Sequence, residues 1–127
     1  IALQMRKNDV GCMPVCDNAG RIKGIVTDRD LVIRCLAKAV AAGENDKRAG
    51  SPGNTMLTAG EIMSLDPVTI SPDQNIHDAA LLFSAHKIRR LPVTEASKIV
   101  GMLFLGDVAV KSVYIDEAGD ALSAISQ

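Results

Sequence analysis

The first half of the chain alternates between short apolar runs and a longer segment with helical spacing. Met13 to Cys16 and Ile22 to Val26 predict two strands, and the sequence DNAG between them favours a turn. Asp28 to about Ala42 predicts a helix, and Ile1 to Lys7 has the pattern of a helix end. The apolar side of the predicted long helix comprises Leu31, Cys35, Leu36, Ala39 and Val40.

The second half begins with a short predicted helix, TAGEIM, which Thr58 opens. The run DPVTI, at positions 66–70, predicts a strand. A longer helix is expected within SPDQNIHDAALLFSAHK, begun by SPDQ with Pro72 near its first turn. The remaining predicted elements are strands from Arg90 to Thr94 and from Ile99 to Phe104, a short helix, and an amphipathic helix from Asp116 to Ile125.

An internal repeat relates the two halves. The second repeat has a strand and a helix, Pro67 to Lys87, where the first has only Ile1 to Lys7. We therefore expect the chain to begin inside its first repeat, which we place with its connector at 1–57, ahead of the second at 58–127. The connector, Gly43 to Thr55, is rich in glycine and charge and is predicted to be the most mobile internal segment. The anchors of the repeat are Pro14 with Pro92, Gly24 with Gly101, and Asp30 with Asp107.

Composition excludes several classes of function. The 127 residues allow one domain or two small halves with a shared core, and 47% of them are hydrophobic. A net charge of -1 and few aromatic residues do not suit a nucleic-acid binder. No apolar run approaches the roughly 20 residues that cross a membrane, and no signal peptide is recognisable, which predicts a cytoplasmic protein without a membrane partner. Cys12, Cys16 and Cys35 are odd in number and irregular in spacing, as expected for thiols in a reducing compartment.

The sequence GIVTDRD ends a predicted strand and begins a predicted helix. Thr27 and Asp30 have the spacing of a capping box, although Asp is shorter than the usual Glu or Gln. The same geometry suits a ligand, because a helix start presents N–H groups to an anion and a carboxylate can accept two hydrogen bonds from a ribose diol. Spacing alone favours capping, and the two interpretations are compatible.

Other chemistry is not indicated. His77 and His86 are too far apart for one metal site on a helix, and Cys12 and Cys16 would lie about 13 Å apart along a strand. The chain has no P-loop, no Gly-x-Ser-x-Gly and no Gly-x-Gly-x-x-Gly sequence. We therefore expect no metal site, no catalytic residues, no required cofactor and no enzymatic activity.

The repeat resembles a pair of CBS motifs, together called a Bateman module. The resemblance rests on the combination of GIVTDRD, EIM followed by DPVTISPD, and IRRLPV. It implies a mixed α/β (α+β) fold in which two β-α-β-β-α motifs are related by a pseudo-two-fold axis. It also implies a homodimer whose interface, or the core beneath it, includes Leu31, Leu36, Leu81, Leu82 and Val108.

The resemblance further implies an adenosine-containing ligand, such as AMP, ADP, ATP or S-adenosylmethionine, in a cleft between the motifs. Gly24, Thr27 and Asp30 match the family's Gly-x-x-Thr/Ser-x-x-Asp motif, in which the Asp takes the ribose hydroxyls and the Thr faces the phosphate. Arg89 and Arg90 are the pair before LPV that reaches the phosphate. Without the family, two adjacent arginines indicate only a solvated strand end.

Pro67 and Val68 stand where the family lines the adenine, and core packing explains them equally well from the sequence alone. A second, weaker cleft would keep Asp107 as ribose acceptor but has Phe104 at the position of Thr27. The positions equivalent to Arg89 and Arg90 are occupied there by Gly11 and Cys12.

Two functions follow from this resemblance. The first is a regulatory module that senses an adenine nucleotide or S-adenosylmethionine and signals to a fused or partner effector domain. The alternative is a structural dimerisation module with no physiological ligand. A redox response through Cys12 or Cys16 ranks below both.

Overall fold

The computed structural model describes residues 1–45, 57–110 and 115–126. These residues form two compact units. The first unit consists of Ile1–Val15 and Lys23–Asp66, and the second of Cys16–Ile22 and Pro67–Gln127. Helices and antiparallel strands occur in both, which confirms the mixed α/β class. The predicted connector lies outside the described residues except for positions 43–45, which are helical.

The elements of the first unit follow the predicted order. Helix α1 ends at Asn8, and the left-handed Asp9 (φ 51°) terminates it. The long predicted helix is present but contains a π-helical stretch in its first half. The bounds are α1 (Ala2–Asn8), β1 (Cys12–Cys16), β2 (Ile22–Thr27), α2 (Asp28–Asp30), the π-helical stretch (Leu31–Leu36), α3 (Ala37–Asn45), α4 (Ala59–Ile62) and β3 (Ser64–Leu65).

The core of the first unit is small and aliphatic. Strand β2 lies between β1 and β3, and Gly24 and Ile25 of β2 pair antiparallel with Leu65 and Ser64 of β3. The predicted apolar side of the long helix is largely exposed among the described side chains, and of its members only Leu31 packs against this core. The buried core residues are Met5, Val26 and Ile62.

The second unit contains a helix and hairpin over a larger core. Phe83 and Leu91 are fully buried there. The hairpin turns at Ala96 and Ser97, both left-handed, and its register shifts between Val93 and Thr94. The bounds are α5 (Ile76–His86), β4 (Arg90–Glu95), β5 (Lys98–Phe104), α6 (Leu105–Ala109) and α7 (Ile115–Ser126).

The tip of the first hairpin belongs to the second unit and confirms the turn predicted for DNAG. The Gly20 N–H donates to the Asp17 carbonyl at 2.9 Å, and Gly20 is left-handed (φ 78°). The Asp17 carboxylate accepts from the N–H of Ala19 and of Arg21. The tip then bonds to the second hairpin, because the Ile22 N–H donates to the Ser97 carbonyl at 3.1 Å.

Two predicted elements differ in the structure. The strand predicted over 66–70 is reduced to an isolated parallel bridge between Ile70 and Val93, because Asp66 is left-handed (φ 48°) and Pro67 has no N–H to donate. The long helix of this unit starts at Ile76, after the predicted SPDQ start. Asn75 is its N-cap, and the SPDQ segment forms a separate turn in which the Gln74 N–H donates to the Ser71 carbonyl.

We expect Asn75→Ala to lower the free energy of unfolding by about 1 kcal/mol, because the Asn75 side chain accepts from the Asp78 N–H at 2.9 Å. Urea denaturation measures this loss. The spacing of Asn75 and Asp78 in NIHD is the sequence signal for this cap. If Pro72→Ala lowered the free energy of unfolding by as much as Asn75→Ala, the result would contradict Asn75 as the N-cap and favour a helix start within SPDQ.

The two repeats have equivalent backbone geometry within their own units. The helix before each hairpin ends at a left-handed residue, Asp9 in one and Lys87 in the other. After it, the Val10 N–H donates to the Met5 carbonyl at 3.0 Å, and the equivalent bond from Ile88 to Phe83 is 3.1 Å. The internal repeat found in the sequence is therefore also present in the backbone structure.

The proposed dimer residues divide by burial. Val108 is buried in the second core, while Leu31 and Leu82 are half-buried against the two cores. Leu36 and Leu81 are exposed. Only these last two of the five are therefore available for a surface role within the described units.

A pH dependence is expected from Glu61 in α4. Hydrogen bonds to its carboxylate, first from the Thr58 N–H and then from the Thr58 hydroxyl, lower the pKa of Glu61 below 4.5. The stabilisation is therefore present above pH 4.5 and is lost as the pH falls through the depressed value. In Glu61→Gln, the loss of stability between pH 7 and about pH 3 should be smaller than in the unmodified chain, as measured by urea midpoints. Glu95→Gln is the control, and an equal reduction there would contradict the assignment.

Candidate functional site

A complete capping box joins β2 to the helical segment. The Thr27 N–H donates to Asp30 Oδ2 at 2.8 Å, and the Thr27 hydroxyl donates to the same oxygen at 3.0 Å. In return, the Asp30 N–H donates to Thr27 Oγ1 at 3.3 Å. The capping interpretation is thus confirmed, and the shorter Asp side chain is sufficient to complete the box.

The second carboxylate oxygen of Asp30 faces an arginine. Asp30 Oδ1 lies 3.6 Å from Arg34 Nε, and 13% of the Asp30 side chain is exposed. Arg34 Nη1 also donates to the carbonyls of Ile62 and Met63, at 2.9 and 3.2 Å. Sequence reasoning missed Arg34, although its i,i+4 spacing from Asp30 is a signal for an ion pair on one helix face.

Gly24 has a packing role in the first unit. It is buried in β2 opposite Leu65 of β3. A Cβ at this position would lie 2.6 Å from Met63 Sδ and 2.7 Å from the Ser64 carbonyl oxygen. The close approach of β3 therefore requires glycine here, irrespective of any ligand.

Pro67 and Val68 lie in the second unit, ahead of Ile70. Both are half-buried, and Val68 packs against the core that contains Phe83. Core packing therefore accounts for Val68. The segment keeps only the Ile70 bridge to the hairpin, where the Ile70 N–H donates to the Pro92 carbonyl at 3.0 Å.

Arg89 and Arg90 lie at the start of β4. Arg90 pairs with Phe104 of β5 and is half-buried, whereas Arg89 is exposed. The difference agrees with adjacent side chains pointing to opposite faces of a sheet. Neither guanidinium has a hydrogen-bond or ion-pair partner among the described residues.

Asp107 lies in the first turn of α6 and is exposed. The N-cap of α6 is Phe104, which provides no side-chain hydrogen bond to the helix. The backbone around this junction repeats that around Thr27, since the Leu105 N–H donates to the Arg89 carbonyl at 3.0 Å and the Asp28 N–H donates to the Gly11 carbonyl at 2.9 Å. The second junction thus retains the carboxylate and lacks the hydroxyl.

The structure gives no support to a redox role for Cys16. Burial, and then the charge of Asp17, raise the pKa of the Cys16 thiol, which disfavours the reactive thiolate. Cys12 is buried in β1. Among the described side chains, no three His, Cys, Asp or Glu residues come together in a way that could hold a metal ion.

Both repeats of the chain match one protein family. A model of the CBS domain matches residues 1–36 and 59–114. The chain belongs to the CBS domain family. The predicted fold is confirmed by the similar structures of CBS pairs. Every helix in the described ranges falls short of the length and apolar character needed to span a membrane.

Several CBS relatives are similar over most of the chain. The CBS domain-containing protein YhcV of Bacillus subtilis (strain 168) is 36% identical over 122 residues, which cover 96% of this chain and 77% of YhcV. The crystal structure of CBSX2 in complex with AMP has a TM-score of 0.66 and 27% identity, and the match covers 91% of this chain and 81% of that one. The CBS domain pair of protein MJ0100, in complex with 5′-methylthioadenosine and S-adenosyl-L-methionine, has a TM-score of 0.62 and 27% identity. The match covers 85% of this chain and 77% of that one.

Proposed function

We propose that this chain is a regulatory module that binds an adenosine-containing nucleotide. The observation that supports this most directly is that two CBS relatives, each 27% identical, are in complex with AMP or with 5′-methylthioadenosine and S-adenosyl-L-methionine. These ligands share adenosine, so the ribose and adenine are the groups a common site would recognise. The role is regulatory rather than catalytic, as is general for CBS domains.

Asp30 is the proposed acceptor for the ribose hydroxyls. A carboxylate has about four acceptor positions, and Thr27 occupies two of them at Oδ2. Among the described residues, the contact of Oδ1 is Arg34 Nε at 3.6 Å, which leaves acceptor capacity for a ribose diol. The capping box holds the carboxylate in place before the ligand arrives, which reduces the cost of ordering it on binding.

Thr27 is proposed to face the phosphate, where the capping box imposes a condition. Its hydroxyl hydrogen is already donated to Asp30 Oδ2 at 3.0 Å. A phosphate can receive that hydrogen only if the hydroxyl turns away from Asp30, while the Thr27 N–H continues to donate to Oδ2. The capping bond to Asp30 and the proposed bond to a phosphate thus compete for the single hydrogen of the Thr27 hydroxyl.

Arg89 and Arg90 are proposed to bind the phosphate, with Pro67 and Val68 beside the adenine. This part of the assignment rests on the family resemblance and on the absence of other partners for the two guanidinium groups among the described residues. Charged donors to phosphate form the stronger class of hydrogen bond. Asp107 is proposed as a weaker second ribose acceptor.

An alternative role is a structural dimerisation module with no physiological ligand. The observation that favours it is the exposure of Val32, Leu36 and Val40, which are 57%, 57% and 55% exposed on the helical segment of the first unit. Such an apolar face suits contact with another chain. A homodimer is compatible with either role, and sedimentation velocity at tens of micromolar tests it.

Thermal unfolding in the presence of AMP, ADP, ATP and S-adenosylmethionine distinguishes the two roles. A ligand at about 100 times its dissociation constant should stabilise the folded chain by about 2.7 kcal/mol. Inosine monophosphate and CMP serve as controls for recognition of the base. If none of the adenosine compounds raises the unfolding temperature, the structural role is favoured and the proposed nucleotide function is wrong.

A further inference from the structure

We propose that Arg34 is a positioning residue for the nucleotide, and that it links the Asp30 carboxylate to the end of α4. The inference rests on the proposed binding of a ribose by Asp30. Arg34 lies outside the Gly24, Thr27 and Asp30 motif. Its guanidinium nevertheless contacts Asp30 Oδ1, the carboxylate oxygen outside the capping box, on one side and two main-chain carbonyls on the other.

Arg34 is itself held in a defined position. Its Nη1 donates to the carbonyls of Ile62 at 2.9 Å and Met63 at 3.2 Å. Helix α4 ends at Ile62, with Met63 as its C-cap, and carbonyls at a helix end lack partners within the helix and favour a cation. The guanidinium is therefore anchored by main-chain atoms in addition to the charge of Asp30.

This anchor affects the oxygen that a ribose would meet. The torsion about the Cβ–Cγ bond of an Asp side chain is broad, and because the carboxylate is rigid it moves Oδ1 and Oδ2 together. The two bonds from Thr27 at Oδ2 and the contact of Arg34 Nε with Oδ1 at 3.6 Å therefore restrain this one torsion from both ends of the carboxylate. A carboxylate restrained at both oxygens should distinguish a ribose from a 2′-deoxyribose more strongly than one restrained at Oδ2 alone.

The same residue connects the ligand to the sheet. Met63 precedes Ser64 and Leu65 of β3, which pair with Ile25 and Gly24 of β2. The chain of contacts from Asp30 through Arg34 and Met63 thus returns to the strand that leads to Thr27. A ribose that donates hydrogen bonds to Asp30 Oδ1 would alter the contact of Arg34 with that oxygen. Through Arg34, it would also alter the hydrogen bonds to the carbonyls at the end of α4.

The first experiment compares AMP with 2′-deoxy-AMP by titration calorimetry. We expect Arg34→Met to reduce the preference for AMP roughly tenfold, because the hydrogen bond from the 2′-hydroxyl would meet a less firmly oriented Asp30 carboxylate and be weakened. Arg29→Met is the matched control, since Arg29 lies on the same helical segment and its side chain has no partner among the described residues. A general loss of structure would weaken both ligands equally. An unchanged preference in Arg34→Met would overturn the positioning role.

The second experiment needs no ligand. We expect Asp30→Asn to shift the ¹³C resonances of the Ile62 and Met63 carbonyls in an otherwise unchanged chain, and to leave them in place when Arg34→Met is also present. Equal shifts in both backgrounds would overturn the link through Arg34. If the unmodified chain binds neither nucleotide, the proposed function fails, and this experiment decides the Arg34 link separately.

Discussion

Asp30→Ala is expected to lower the affinity for AMP by at least about a hundredfold. The proposed interaction uses two hydrogen bonds from the ribose to a carboxylate, and bonds to a charged group contribute about 1.5–3 kcal/mol each. Titration calorimetry measures the loss. Asp107→Ala is the matched control, because Asp107 is the equivalent residue of the second repeat and its junction lacks a hydroxyl and a side-chain cap.

The Ala variant also removes half of the capping box, so a second variant separates binding from folding. Asp30→Asn keeps a side-chain oxygen that can accept from the Thr27 N–H, which preserves part of the cap while removing the charge. We expect one tight nucleotide per chain, lost in both Asp30 variants and retained in Asp107→Ala. Two equal sites, or a greater loss from Asp107→Ala, would place the nucleotide at the other junction.

Gly24→Ala is expected to destabilise the chain by about 3 kcal/mol, the upper end of the usual cost of adding a methyl group to a packed site. The new Cβ would lie 2.7 Å from the Ser64 carbonyl oxygen, which belongs to the main chain of β3 and cannot rotate away as a side chain does. The strands β2 and β3 would have to separate. Urea denaturation measures the change.

Gly101→Ala provides the matched control for this effect. Gly101 is the equivalent residue in the second repeat, and its added Cβ would meet Val93 Cβ at 3.9 Å, an ordinary contact. We expect a change within about 0.5 kcal/mol. Similar costs at the two positions would show that a general strand preference, rather than the approach of β3, requires glycine at Gly24.

The candidate site could be predicted in part because its geometry is local. Thr27 and Asp30 are three residues apart, and that spacing alone brings a side-chain oxygen to the helix start. The assignment of Asp30 to a ribose came from the resemblance and remains a proposal. Arg34 is also local to Asp30, but its bonds to Ile62 and Met63 span 28 and 29 residues and follow from no sequence pattern.

By itself, the sequence determined the features that neighbouring residues decide among themselves. These are the DNAG turn, the two hairpins and the capped helix start at Thr27, because each depends on backbone preferences over a few positions. Only the tertiary structure decided features that need a distant partner. Gly24 is required because β3 lies against it, and the run at 66–70 pairs only through Ile70. The apolar side of the long helix is largely exposed among the described side chains, because burial depends on which other segments pack against it.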